Sequence, residues 1–96
     1  MATGTIKGPE YITQSVTFGS KTVSTVNYAD IEVTNSVSGY TLIGAVGWTL
    51  NSVTQVGVVY VSAISGSTIR IRVFNPSTSA SQTISGGTII LLYKHD

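Results

Sequence analysis

The stretch from Val37 to Leu50, VSGYTLIGAVGWTL, constrains the fold of this chain more than any other. After a Ser38-Gly39 turn it continues as a long strand, and both faces of that strand, taken at period two, are largely apolar or small. One face carries Tyr40, Leu42, Gly44, Val46, Trp48 and Leu50, and the other carries Thr41, Ile43, Ala45, Gly47 and Thr49. In an antiparallel protein, a strand of this kind indicates a sandwich core on one side and a partner chain on the other.

Two glycines, Gly44 and Gly47, interrupt this strand. Glycine weakens an isolated strand because it loses much conformational entropy on folding and offers no side chain to pack. We therefore expect these glycines to mark a bulge, a bend or a close approach between two backbones.

The rest of the chain also divides into short strands separated by turn residues. Alternating apolar residues predict strands at 11–19, 29–34, 55–64, 68–75 and 82–94, with a short strand or an extended connection at 22–28. Glycines predict a tight hairpin at 65–67 and a break in the last strand at 86–87. No stretch has a helical period. The sequence therefore predicts a single all-β domain over residues 11–96, an antiparallel β-sandwich of jelly-roll-like type.

The composition excludes several classes of protein. The chain has 96 residues, no cysteine, 9% charged residues and a net charge of +1. Without cysteine there is no disulfide framework and no thiolate zinc site. Without a basic excess there is no electrostatic basis for binding nucleic acid. No apolar run approaches the length of a membrane helix, so membrane insertion is not expected.

The first ten residues, MATGTIKGPE, contain no periodic apolar set. They also lack the basic and apolar regions of a signal peptide. We interpret residues 1–10 as a flexible leader or as the end of a linker from a preceding domain.

The few ionisable residues form no catalytic constellation. Asp30 and Glu32 lie two positions apart on one strand face, a spacing within reach of glycosidase carboxylates, but nothing apolar is placed to keep either group protonated. The only histidine, His95, lies next to Asp96 and is poorly placed to act as a rigid base. We therefore expect a non-enzyme without cofactor or metal. A solvated outer face is the favoured interpretation of the two acids, and calcium binding is the weaker alternative.

Apolar residues on both parities of two consecutive strands exceed what one small core can take. The surplus would form an exposed patch, and large exposed patches usually mark interfaces. We therefore predict self-association. The candidate interface residues are Ile43, Ala45, Val59 and Val61.

A ligand-binding hypothesis rests on Arg70, Arg72 and Phe74, which share one strand face. Two guanidinium groups beside an aromatic ring can hold an anionic sugar or a polymer phosphate. The favoured alternative is that both arginines pair with Asp30 and Glu32 across the sheet.

The remaining aromatic candidates are Trp48, Tyr40 and Tyr60, whose rings can stack on sugars. Their parity matches that of the aliphatic residues, so burial in the core or at a subunit seam is favoured over stacking. The Ser/Thr/Asn-rich loops at 35–39, 51–54 and 75–82 are also candidate recognition segments.

The segment SGYTLIGAVGW resembles a stretch found near the C-termini of tail-fibre, baseplate and minor structural proteins of phages and prophages of Gram-positive bacteria. The similarity continues through the hairpin ISGSTIRIRVFN, a Ser/Thr loop and the final LLYKHD, and it covers about Tyr28 to Lys94. Leu42 departs from the pattern, which usually has proline there.

This resemblance implies a terminal β-sandwich domain of a phage tail appendage, trimeric and in contact with host-surface glycan or cell-wall polymer and with other tail proteins. The implied location is the virion, or the bacterial cytoplasm before assembly for a prophage-encoded protein. Two alternatives stay open: a carbohydrate-binding module of a secreted protein, and a purely structural trimerisation or capping domain.

Overall fold

The computed structural model describes residues 8–51 and 56–96, and within the second range the side chains of Val58 and Val59 lie outside the description. The described part is built of eight strands. They are β1 (Tyr11–Phe18), β2 (Lys21–Val23), β3 (Asn27–Thr34), β4 (Tyr40–Leu50), β5 (Gly57–Ser65), β6 (Thr68–Asn75), β7 (Gln82–Ile84) and β8 (Gly87–His95). The described segments contain no helix, and so none that is long and apolar enough to cross a membrane.

The strands form three antiparallel sheets that pack together as a small β-sandwich. Sheet A has the order β1-β8-β4, sheet C has the order β3-β6-β5, and the two-stranded sheet B pairs β2 with β7. The pairings of β1 with β8, β2 with β7 and β3 with β6 are nested, so β1 to β3 run as one arm of a ribbon against β6 to β8. The predicted all-β sandwich and its single-domain architecture are confirmed.

The core lies between the inner faces of sheets A and C. Alternate residues of the two central strands are completely buried, namely Ile69, Ile71 and Val73 on β6 and Ile89, Leu91 and Tyr93 on β8. These residues occupy alternate positions because successive side chains of a strand point to opposite faces. Val23, Ile31, Val33, Leu42, Val56 and Ile84 complete the cluster.

Of the bulge, bend or close approach expected at Gly44 and Gly47, the structure shows a bulge next to each glycine. The pairing of β4 with β8 shifts register between Leu42 and Gly44, and again between Ala45 and Gly47. Strand β5 has two further bulges, between Val58 and Tyr60 and between Val61 and Ala63, that the sequence did not predict.

The bulges correct the period-two assignment of faces in β4 and β5. Each bulge inserts one extra residue, so side chains beyond it exchange faces. Ala45 pairs with the buried Leu91 and therefore lies on the inner face, together with Leu42. Strict alternation had placed Ala45 and Leu42 on different faces. Tyr60 lies opposite Arg72 on the outer face, and Val61 lies opposite Ile71 on the inner face.

The start of β8 is a point where two backbones approach too closely for any side chain. A Cβ atom on Gly87 would collide with the carbonyl oxygen of Thr49 and would lie 2.6 Å from Cζ of Phe18. The preceding Gly86 has φ +112 and would place a Cβ 2.8 Å from the carbonyl oxygen of Phe18. Glycine is therefore required at both positions, in agreement with the predicted break in the last strand.

Two buried polar side chains tie the strands of different sheets together. Asn75, which is completely buried, donates from Nδ2 to the carbonyl oxygens of Val23 and Ala80, each at 3.0 Å. Tyr93 donates its hydroxyl to the carbonyl oxygen of Asn35 at 2.6 Å and accepts from that residue's Nδ2 at 2.8 Å. Because their polar atoms are paired, these residues can be buried without a large desolvation penalty.

One turn holds a residue in an unfavourable backbone conformation. Val26, between β2 and β3, has φ 45 and is 56% exposed. A β-branched residue in the left-handed region is strained, because its Cβ crowds the following carbonyl group. The turn is held by a 3.0 Å hydrogen bond from the amide of Val26 to the carbonyl oxygen of Ser77.

Candidate functional site

The outer face of sheet C brings together four charged and three aromatic side chains. Directly opposed residues of an antiparallel pair share a face, so the register places the aromatic and charged residues of β3, β5 and β6 together. The rows across the sheet are Tyr28 with Phe74 and Gly57, Asp30 with Arg72 and Tyr60, and Glu32 with Arg70 and Ala63. We refer to this surface as the sheet C face.

Both arginines of the sheet C face are paired with carboxylates on β3. Arg72 donates from Nε to Oδ1 of Asp30 at 2.9 Å and from Nη2 to Oδ2 at 3.2 Å, a bidentate arrangement. Arg70 donates from Nε and Nη2 to Oε2 of Glu32, at 2.9 and 2.7 Å. The favoured alternative from the sequence, in which the arginines pair across the sheet, is therefore confirmed.

Aromatic rings flank Arg72 on both sides. Its guanidinium carbon lies 5.8 Å from the ring centroid of Tyr28 and 5.9 Å from that of Tyr60. Phe74 packs behind Tyr28 with ring centroids 4.7 Å apart. Tyr28 and Tyr60 remain 53% and 46% exposed, so both side chains are accessible to solvent although Arg72 lies over each ring.

The ion pairing sets the electrostatics of the sheet C face. The hydrogen bonds from Arg72 hold the pKa of Asp30 below its usual range, and Asp30 in turn raises the pKa of Arg72. Both groups therefore stay ionised across the physiological pH range. The two guanidinium groups and two carboxylates of this face cancel, which leaves the single charge of Lys21 nearby, so the face has only weak attraction for a strongly anionic polymer.

The chemistry available on the sheet C face is stacking and hydrogen bonding. Among residues 8–51 and 56–96 no three His, Asp or Glu side chains lie together as metal ligands would. The same part of the chain encloses no cavity or cleft. Any ligand of this face would lie on an open, flat surface.

The outer face of sheet A is different, because it is apolar at its centre and hydroxyl-bearing at its margin. The bulges of β4 expose Ile43 by 42% and Val46 by 57%, beside the half-buried Ile90 and Leu92 of β8. The surrounding residues on this face are Thr13, Ser15, Thr17, Thr41, Thr49 and Thr88. We refer to this surface as the sheet A face.

The four predicted interface residues divide between faces. Ile43 lies on the sheet A face and is exposed. Ala45 and Val61 are partly buried against the core, because the bulges turn them inward. The side chain of Val59 lies outside the described part of the structure. The sequence missed Val46, which is more exposed than Ile43, since strict alternation assigned it to the core face of β4.

The five predicted ligand-binding residues are also divided. Arg70, Arg72 and Phe74 lie together on the sheet C face. Trp48 is on β4 opposite the buried Ile89, and it is 41% exposed because β4 is an edge strand.

Tyr40, the fifth, is engaged within sheet A. Its hydroxyl donates to the carbonyl oxygen of Pro9 at 2.9 Å, and its ring packs edge-on against His95 at 4.7 Å. The backbone of Glu10 also accepts a 2.8 Å hydrogen bond from the amide of His95. The end of the predicted leader is thus in contact with the sandwich.

Tyr28 is the member of the sheet C face that sequence reasoning missed. The signal was present, because Tyr28 precedes Asp30 and Glu32 on the same alternation and faces the alternation of Arg70, Arg72 and Phe74. Extending the predicted strand 29–34 by one residue toward the N-terminus would have included it.

Comparison with known proteins gives no related protein in which these two surfaces could be examined. No family model, curated protein or solved structure matches the chain.

Proposed function

We propose that this chain is a noncatalytic domain of a phage tail appendage, which self-associates through the sheet A face and contacts host-surface glycan or polymer. The observation that carries the proposal is the exposed apolar centre of the sheet A face, where Ile43 and Val46 lie on the outer side of a bulged edge strand. The resemblance of SGYTLIGAVGW to phage tail proteins supplies the biological setting.

The two glycines of β4 support a partner on this face. A Cβ on Gly44 would meet nothing within 4 Å, and one on Gly47 would make only ordinary contact with Ile90 at 3.7 Å. Neither glycine has the positive φ that would demand it. The fold itself therefore does not need glycine at these positions, whereas close approach of a second backbone would.

A second copy of the chain is the occupant we propose, and a trimer is the expected assembly. The only charged side chain in the strands of sheet A at neutral pH is Lys94, at the end of β8, so no like-charge repulsion opposes contact between copies. Other tail proteins are the further partners, and the virion is the proposed location.

The solution mass, measured by size-exclusion chromatography with multi-angle light scattering, tests the proposal. We expect about three times the 10.1 kDa chain mass. Gly44→Val should lower the mass while the chain stays folded, because its side chain enters space that is open within one chain. Gly57→Val is the matched control, since Gly57 also has open space but lies in sheet C. A monomeric parent chain would contradict the proposal.

A second candidate is a carbohydrate-binding module of a secreted protein. The exposed rings of Tyr28 and Tyr60 favour it, since half-exposed aromatic side chains on an open sheet are typical stacking platforms. This candidate predicts a monomer that binds sugar, and a purely structural capping domain predicts an oligomer that binds none. Mass and sugar binding, measured on the same sample, separate the three.

A further inference from the structure

We infer that the sheet C face binds a neutral saccharide chain, with Tyr28 and Tyr60 as stacking rings and the Asp30–Arg72 pair as the hydrogen-bonding group between them. The inference rests on the proposed function, which supplies surface glycan as the class of ligand. It adds which residues bind that glycan and that the glycan is uncharged.

The first support is the combination of apolar and polar groups on one surface. A pyranose ring has an apolar C–H face and a rim of hydroxyl groups. The half-exposed rings of Tyr28 and Tyr60 match the apolar face, and both lie within 6 Å of the Arg72 guanidinium carbon. A hydroxyl rim above these rings would therefore lie close to a group with both donors and acceptors.

The second support is that the polar pair has hydrogen-bonding capacity left. Asp30 accepts two hydrogen bonds from Arg72, whereas a carboxylate has about four acceptor positions. Arg72 has five N–H donors. Three of its nitrogens each make one bond, to Asp30 or, at 3.3 Å, to the hydroxyl oxygen of Tyr60. Sugar hydroxyls, which donate and accept, fit such a mixed set.

The third support is preorganisation. The bidentate contact with Asp30 and the two flanking rings hold the guanidinium of Arg72 in one orientation, and Phe74 holds the ring of Tyr28 from behind. A surface that is already ordered loses little side-chain entropy when a ligand binds. The strained Val26, two residues before Tyr28, is consistent with this, because backbone strain tends to collect near functional surfaces.

Charge decides which saccharide fits. The sequence alone favoured an anionic sugar or phosphate as the ligand of Arg70 and Arg72. In the structure both guanidinium groups are neutralised by Asp30 and Glu32, so a polyanion would have to compete with these carboxylates for the two arginines. A neutral chain meets no such competition.

The open shape indicates a polymer. Tyr28 and Tyr60 lie on strands β3 and β5, on either side of β6, so the two rings are spread across the sheet. A single sugar on a flat surface buries little area and would bind weakly. A chain that touches both rings gains from both contacts at once.

The test is native gel electrophoresis through gels that contain a dissolved polysaccharide, either neutral (glucan, mannan, galactan) or anionic (polygalacturonate). We expect retardation by at least one neutral polymer and not by the anionic one. Tyr60→Ala and Tyr28→Ala should each weaken the apparent affinity about tenfold, and Tyr60→Phe should retain most of it. Tyr11→Ala is the matched control, since Tyr11 is 52% exposed but lies on sheet A.

Three outcomes would overturn the site: no retardation by any neutral polymer, stronger retardation by the anionic polymer, or equal losses in Tyr11→Ala and Tyr60→Ala. Circular dichroism of each variant shows that it is folded. The proposed function fails separately. A monomer whose sugar binding depends on Tyr60 would support the saccharide site and contradict the proposed tail role. An oligomer that adsorbs to bacterial cell walls independently of Tyr60 would support the tail role and contradict the site.

Discussion

The two outer faces of the sandwich have similar strands but opposite surface chemistry. On sheet C, every outward charged side chain of β3 and β6 has a partner across the sheet, and the aromatic rings pack against these pairs. On sheet A, the bulges of β4 turn Ile43 and Val46 outward, and their neighbours are glycine, threonine and aliphatic residues. A face whose polar groups already pair suits a hydrated ligand, and a bare apolar face suits another protein surface.

Individual glycine positions also differ in what the backbone around them tolerates. Gly87→Ala should destabilise the protein by about 3 kcal/mol or more, because its methyl group would collide with the Thr49 carbonyl oxygen and the ring of Phe18. Urea denaturation measures the loss. Gly57→Ala in sheet C is the control and should stay within about 0.5 kcal/mol, since its Cβ would enter open space. A mild effect of Gly87→Ala would show that β4 and β8 can move apart.

The buried polar anchors should differ in strength. Asn75→Ala, at the end of β6, removes hydrogen bonds to the carbonyl oxygens of Val23, Ser24 and Ala80, so we expect a loss of about 2–3 kcal/mol in the free energy of unfolding. Tyr93→Phe in sheet A removes one hydroxyl group and should cost about 1–1.5 kcal/mol. The same denaturation experiment ranks the two. A larger loss of unfolding free energy in Tyr93→Phe than in Asn75→Ala would contradict this prediction.

The strained turn beside sheet C predicts a gain in stability. Val26→Gly relieves the positive φ, partly offset by the added entropy of the unfolded chain, so the net gain should be about 0.5–1 kcal/mol. Thr25→Gly in the same turn has no strain to relieve and should lose a similar amount. Equal signs for the two variants in thermal melts would contradict this account.

Acid should weaken sheet C selectively. The pKa of Asp30 is lowered in the folded state by Arg72, so the unfolded chain takes up the proton first. This contribution to stability is complete above the unfolded pKa of about 4 and is lost as the pH falls through the folded pKa. Asp30→Asn should therefore show a smaller loss of stability between pH 6 and pH 2. An equal loss of unfolding free energy with falling pH in parent and variant would contradict the prediction.

The strands were predictable from sequence because each has an alternating pattern bounded by turn residues. The predicted bounds of β4 and β6 agree with the observed ones, and the two glycines of β4 indicated its irregular positions. Alternation could not predict which face of the sheet the side chains beyond a bulge occupy. In β5 the bulges have no glycine of their own to signal them, and Val61 was therefore assigned to the interface although it faces the core.

The candidate site was predictable only in part for a related reason. The pairing of Arg70 and Arg72 with the two acids follows from matching alternation on β3 and β6, which are free of bulges. The position of Tyr60 beside Arg72 depends on the register of a bulged strand, and that register is fixed by packing in three dimensions.

The nested pairing of the ribbon also sets an order of events in folding. Among the strands of residues 8–51 and 56–96, only β5 and β6 form a local hairpin, closed by the turn between Ser65 and Thr68, so this pair can form first. The pairs β3 with β6, β2 with β7 and β1 with β8 then join partners progressively farther apart along the chain. During synthesis the centre of sheet A, β8, is the last strand of this domain to emerge. Until it does, β1 and β4 lack the strand with which they pair and the inner face of sheet C is uncovered, so the domain is most prone to aggregate before β8 is in place.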